Sequence, residues 1–180
     1  SISQELAKYN IRVEVPWMRS WQRPPGGGMA IIEALAAEQL ARPCDRLFAL
    51  VGRNFGDFLI GLLAVDALGS VDTVTSTRGY VAANVGTVNQ VFVPPQAAAV
   101  HEAYHLLGCQ HDRSMTACYA RIDRLKEAAA ENRVNGVDFF PTYSRRGQLL
   151  MTREAVDVRE AMALKVERAK SRNAQDNQSW

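Results

Sequence analysis

An α+β fold is expected from three features of the chain. Segments with strand-like alternation and segments with helical periodicity follow one another along its whole length. Its 180 residues suffice for one domain with a substantial core, and no internal repeat divides them. All three histidines fall in one helix-forming segment, with glycine at the point where that helix should stop.

The elements follow in order. Ile11 to Trp17 alternates, so a strand is expected with Ile11, Val13 and Val15 on one face. Trp17 to Gly28 carries two prolines and three glycines and reads as a loop. Its Gly26-Gly27-Gly28 run lacks the frame of a phosphate-binding loop and reads as a connector. Met29 to Leu40 is an amphipathic helix with Ile31, Ile32, Leu35, Ala36 and Leu40 on a broad apolar face, and Pro43 ends it. Arg46 to Val51 reads as a buried strand. In Phe58 to Val65, period does not separate helix from strand. Thr73 to Thr77 is β-prone, Gly79 to Val85 reads as an edge strand, and Asn89 to Val93 as a strand ending at Pro94-Pro95.

Gln96 opens the histidine-bearing helix. Cys118 to Asn132 is helical, with Ile122, Leu125 and Ala129 on one side. Residues 135–147 read as loop. Glu154 to Lys170 is a closing helix expected to bury Val158, Met162 and Val166, and residues 171–180 form a polar tail.

A formal net charge of +2 gives no electrostatic case for a nucleic-acid partner. No apolar run approaches the roughly 20 residues of a membrane span; the nearest, Phe58 to Leu68, is short and contains Asp66. The chain opens on Ser-Ile-Ser-Gln, without a basic-then-apolar leader. The expectation is a monomer with neither nucleic-acid nor membrane partners, in a secreted or periplasmic setting.

The chemistry lies in His101-Glu102-Ala103-Tyr104-His105-Leu106-Leu107-Gly108-Cys109-Gln110-His111, followed by Asp112. His101 and His105 are four apart, so a helix projects both rings from one face, a chelating pair for Zn²⁺. Glu102 flanks that pair, where its carboxylate can hold a water without ligating the metal. His111 cannot share the same straight helix: six residues give a rotation of about 600° and a rise of about 9 Å. The chain must stop and turn back, and Gly108 is placed for the left-handed residue that does so. Three imidazoles leave a tetrahedral zinc one open position, the catalytic arrangement. Glu102 is then the candidate general base for an attacking water. Of three cysteines, Cys109 and Cys118 flank His111; a bridge between them would brace the turn, and two reduced thiols are the alternative.

The run from His101 to His111 resembles the extended zinc motif of the metzincin metallopeptidases, and Asp112 is similar to the adamalysin (reprolysin) branch at that position. The resemblance implies a twisted, mixed five-stranded sheet with an active-site helix and a C-terminal helix. Two lobes would enclose a zinc cleft, the upper one about 1–108 and the lower about 109–170. It implies a methionine turn beneath the metal: Met151 precedes the final helix as the family's turn does, and Met115 is the alternative. The tyrosine that some members carry two residues later is Arg153 here. It implies a peptide or protein substrate laid along an edge strand, for which Gly79, Tyr80, Val81 and Ala82 are the candidates, and a specificity pocket within 139–150. Phe139, Phe140 and Tyr143 serve equally as core. The expected activity is zinc-dependent endopeptidase. The competing readings are a gluzincin-type peptidase with Glu127 or Glu131 as third ligand, and a non-catalytic zinc-stabilised binding module.

Overall fold

A computed structural model describes residues 1–52, 69–84, 95–111 and 113–176. The expected strand at Asn89 to Val93, the apolar run Phe58 to Val65 and Asp112 lie outside the described residues. The architecture is mixed α+β with small sheets. No helix among the described residues is long and apolar enough to cross a membrane.

The chain opens with α1 (Ile2–Ala7), which the hydrophobic pattern did not suggest. Its signal is a capping box: the Gln4 backbone N–H donates to Ser1 Oγ, and the Ser1 amine donates to Gln4 Oε1 at 2.9 Å. Residues 11–17 then form no strand. Ile11 and Val13 lie partly buried against the cluster of Leu6, Leu107, Cys118, Ile122 and Leu125, whereas Val15 is 68% exposed. The alternation belongs to an extended strap lying on helices; hydrophobic periodicity reports a buried face, not a strand partner.

Helix α2 (Gly28–Ala36) buries Ile31, Leu35 and Ala36 as expected. It packs on the sheet through Val51 and Tyr80. In that sheet β1 (Leu47–Gly52) runs parallel to β3 (Arg78–Asn84), and β2 (Gly69–Val71) pairs antiparallel with the other side of β3. The order β1-β3-β2 corrects the expected edge strand. Gly79, Tyr80 and Val81 are paired on both sides, to β1 and to β2, and Ala82 is paired to Val51, so this segment is the central strand of the described sheet rather than its edge. The antiparallel edge is β2. The β-prone run Thr73 to Thr77 is a turn, because the Asp72 carboxylate accepts the Val74 and Thr75 amides and folds the chain back on itself.

Helix α3 (Pro95–Leu106) carries the first two histidines and packs on β2, β3 and α1. Helix α4 (Met115–Val134), capped by Ser114, buries Cys118, Ile122, Leu125 and Ala129 along one stripe. Ile122 and Leu125 are fully buried, each worth roughly 1.5–3 kcal/mol of apolar transfer. The expected loop at 135–147 contains a strand: β4 (Thr142–Tyr143) pairs with β5 (Leu149–Leu150) as a separate two-stranded sheet. The described strands thus make sheets of three and two, rather than one of five.

Helix α5 (Arg153–Asp176) closes the described chain. Its expected inner face is wrong in phase. Val158, Met162 and Val166 are 60%, 60% and 53% exposed, while Arg153, Val156 and Glu160 are buried. Two of the three inward positions are ionisable and offset their burial through polar contacts, so apolar periodicity pointed to the opposite side. Phe139 joins a core cluster with Leu40, Leu150 and Val156, and Tyr143 joins the one beneath α3 and α4. Both are core residues rather than pocket lining.

Candidate metal centre

The last turn of α3 fixes the site. Gly108 adopts φ +79°, the left-handed conformation that ends the helix. The Gly108 amide donates to His105 O at 2.8 Å and the Cys109 amide to Tyr104 O at 3.1 Å, the two bonds of a Schellman cap. The chain then doubles back through a turn in which the Arg113 amide donates to Gln110 O at 3.2 Å. His111 is thereby returned to the face that carries His101 and His105. A side chain at Gly108 has no room either: a Cβ there would lie 2.7 Å from Tyr143 Cδ2.

The three Nε2 atoms form a nearly equilateral triangle. They are 2.9 Å apart for His101–His111, 3.1 Å for His101–His105 and 3.1 Å for His105–His111. His105 Nδ1 lies 2.7 Å from the Cys109 carbonyl oxygen. A carbonyl only accepts, so Nδ1 carries the hydrogen and Nε2 presents its lone pair to the centre of the triangle. Burial lowers the pKa values of His101 and His105 from the ordinary imidazole value of 6.5, which favours the neutral, ligating form. Three ring nitrogens converge here, and a shared cation can take a lone pair from each. A point about 2 Å from all three nitrogens, the usual metal–imidazole distance, exists just off the plane of the triangle. The donor set fits a metal ion, and among the described residues it is the only such group. Glu127 is paired with Arg124 on the exposed face of α4, and Glu131 is likewise exposed; neither joins the triad.

Glu102 is buried, at 6% exposure, between α3 and β2. A Cβ at Gly69 would fall 2.7 Å from Glu102 Cγ, so the absence of a side chain on the edge strand is what admits the carboxyl. Among the described residues none donates a hydrogen bond to it. Desolvation pushes its pKa up to about 7. A carboxyl in this state exchanges protons near neutrality, as a general base must.

Several contacts hold the site in register, and the sequence reading missed most of them. The expected Cys109–Cys118 disulfide is present, closing the segment that contains His111 onto the first turn of α4; Cys44 is a free thiol. Arg46 was not singled out. Its Nε donates to Leu106 O at 3.0 Å, and its Nη atoms donate to the carbonyls of Asp45, Phe140 and Pro141. It thus ties the open carbonyl end of α3 to β1 and to the chain leading into β4. Burial lowers its pKa to about 10, so it stays charged at neutral pH. On the other flank Tyr104 donates to Glu5 Oε1 at 2.7 Å, and its hydroxyl lies 2.8 Å from that of Tyr9, docking α1 against α3.

The methionines part company. Met115 begins α4 and is 53% exposed. Met151 follows β5, is half-buried, and gives its carbonyl to Asn132 Nδ2 at 2.8 Å. Arg153, two residues on, reaches away along the 43–45 segment, donating to Cys44 O at 2.8 Å and Pro43 O at 2.9 Å and pairing with Asp45. It also donates to Asp138 O. Its work is structural. No protein-family model, no curated protein and no solved structure matches this chain.

Proposed function

We propose that this protein is a zinc-dependent endopeptidase with a metzincin-like site. One observation carries the reading: three Nε2 atoms converge within 3.1 Å of one another while a buried carboxyl, Glu102, to which no described residue donates, stands one residue from the first of them. His101, His105 and His111 would hold the ion. Zinc, when bound, supplies a Lewis acid and lowers the pKa of water to roughly 7. Glu102 accepts the proton of the attacking water at its carboxylate and returns it to the leaving amine. Its burial keeps bulk water from competing for that proton. Met151 is the candidate for the turn beneath the site.

Strand β2 supports a peptide substrate. It is the antiparallel edge of the described sheet, it is continuous with the Gly69 position that touches Glu102, and such an edge can pair with an extended backbone by strand addition. This assigns to β2 the role expected of Gly79 to Ala82.

The test is zinc stoichiometry together with cleavage of a quenched-fluorescence peptide library, with and without a chelator. One zinc per chain and chelator-sensitive cleavage are expected. A chain that takes no zinc after reconstitution sinks the reading, and one that takes zinc yet cleaves nothing points instead to a binding module.

A further inference from the structure

The turn between β2 and β3 is pinned from three sides, and one threonine hydroxyl there faces two buried carboxyls. Thr75 Oγ1 lies 2.5 Å from Glu160 Oε1, 3.0 Å from Asp72 Oδ2 and 2.7 Å from Thr77 Oγ1. Thr77 Oγ1 accepts a hydrogen from Arg78 Nη1 at 2.7 Å, which leaves its own hydrogen free to go to Thr75. The one hydroxyl hydrogen of Thr75 can serve Asp72 or Glu160, not both. Asp72 is already the acceptor of the Val74, Thr75 and Thr77 amides, so the carboxyl left to bring its own proton is Glu160. Charge counting agrees. Arg78, 1% exposed, is the sole cation facing the pair among the described residues, and its closer partner is Asp157 at 2.9 Å; Glu160 is 3.6 Å away.

We infer that Glu160 holds a proton in the native protein, and that this proton latches α5 to the β2–β3 turn. Losing it places two anions, each 2% exposed, around one hydroxyl, with Asp157 already claiming Arg78. The other groups on the turn are neutral: Thr142 Oγ1 donates to Thr75 O and the Arg145 backbone amide to Val74 O. Nearby Glu38 offers Arg78 only its carbonyl, its carboxylate being paired with Arg19. Desolvation, with Asp72 beside it, pushes the Glu160 pKa up to about 8. The latch therefore holds at neutral pH and opens in mild alkali. Asp72 directly follows Val71 at the end of β2, so release loosens the edge strand beside Glu102. That last link, to substrate, rests on the peptidase reading.

The sign follows from linkage. A carboxyl whose folded pKa lies above its unfolded value of 4.5 contributes stability that is complete below 4.5 and lost as pH rises through about 8. The experiment compares the parent with Glu160→Gln, whose amide can donate where the acid did. Thermal unfolding and amide exchange at Val74, Thr75 and Thr77 are followed from about pH 6 to about pH 9. The titration of Glu102 is common to both chains and cancels in the difference. The parent should lose up to about tenfold more in its folding constant per pH unit than the variant, with the same excess at the three amides. Identical profiles overturn the inference. Should Glu160→Gln fail to fold, Asp72→Asn removes the neighbouring charge and should shrink the excess loss without abolishing it, since Glu160 remains desolvated; an unchanged profile overturns the inference. Neither readout involves cleavage. A chain that shows the difference yet hydrolyses no peptide keeps the latch and sinks the peptidase reading.

Discussion

His105 Nδ1 donates to the backbone carbonyl of Cys109, 2.7 Å away and four residues on. This one bond joins one candidate metal ligand to the turn that delivers another, His111. Cys109 is committed at every group: its amide caps α3, its carbonyl orients His105, and its sulfur is bridged to Cys118 on α4. The ligand geometry is therefore held by the helix end and by α4 together, rather than by α3 alone.

Removing the bridge should separate fold from site. Paired Cys109→Ser and Cys118→Ser changes open a loop with a sequence separation of nine, for which chain entropy suggests a loss of roughly 2–3 kcal/mol. The buried stripe of Ile122 and Leu125 should keep α4 in place. Metal affinity should fall about 10–100-fold, the usual cost of disturbing a group that orients a ligand. Denaturant unfolding and metal titration check the two effects separately. Parental affinity in a destabilised variant would mean that the bridge supports the fold without shaping the site.

Glu102 gives the sharpest chemical prediction. Glu102→Gln preserves shape and removes the proposed base, so zinc stoichiometry should stay at one per chain while cleavage falls about 10²–10⁴-fold. Glu102→Ala should behave likewise. Cleavage at the parental rate in either variant would exclude Glu102 as the base.

The site was legible in the sequence because its information is local. The spacing of His101, His105 and His111 and the stop at Gly108 involve only a few consecutive turns of chain, and α2, α3 and α4 stand close to where periodicity put them. What failed was non-local. The alternation at Ile11 and Val13 reflects burial on helices and not a strand partner. The segment Gly79 to Val81 has the same pattern at an edge or a centre, and only the arrival of β2 decides between them. On α5 the inward face carries Arg153 and Glu160, each compensated by groups more than eighty positions distant in sequence, so a pattern of apolar residues chose the wrong side. Arg46 left no sequence signal because all four of its acceptors are backbone carbonyls.

Gly69 tests the placement of Glu102 from the opposite element. A Cβ there would meet Glu102 Cγ at 2.7 Å and the Tyr80 carbonyl oxygen at 2.7 Å. The backbone oxygen is held in the sheet, so the carboxyl must give way. Gly69→Ala should retain metal affinity, since no imidazole is touched, while kcat falls by about 10²-fold, as for a misplacement near 1 Å. Cleavage kinetics and a parallel metal titration decide it. Unchanged kcat would show that the carboxyl has room to move without chemical consequence.

Gly108 combines two constraints that a double-mutant cycle can separate. Gly108→Ala incurs a left-handed backbone cost of roughly 1–2 kcal/mol at φ +79°. It also drives a methyl into Tyr143, 2.7 Å from Cδ2, for which overpacking adds roughly 1–3 kcal/mol. Only the second part depends on the ring. Tyr143→Ala alone should destabilise by about 3–5 kcal/mol, since the ring is buried in the core beneath α3 and α4. In that background Gly108→Ala should cost no more than its backbone share. The expected coupling is therefore favourable, by roughly 1–3 kcal/mol in denaturant unfolding. Strict additivity would mean that Tyr143 moves aside freely, leaving backbone conformation as the sole reason for glycine at the turn between His105 and His111.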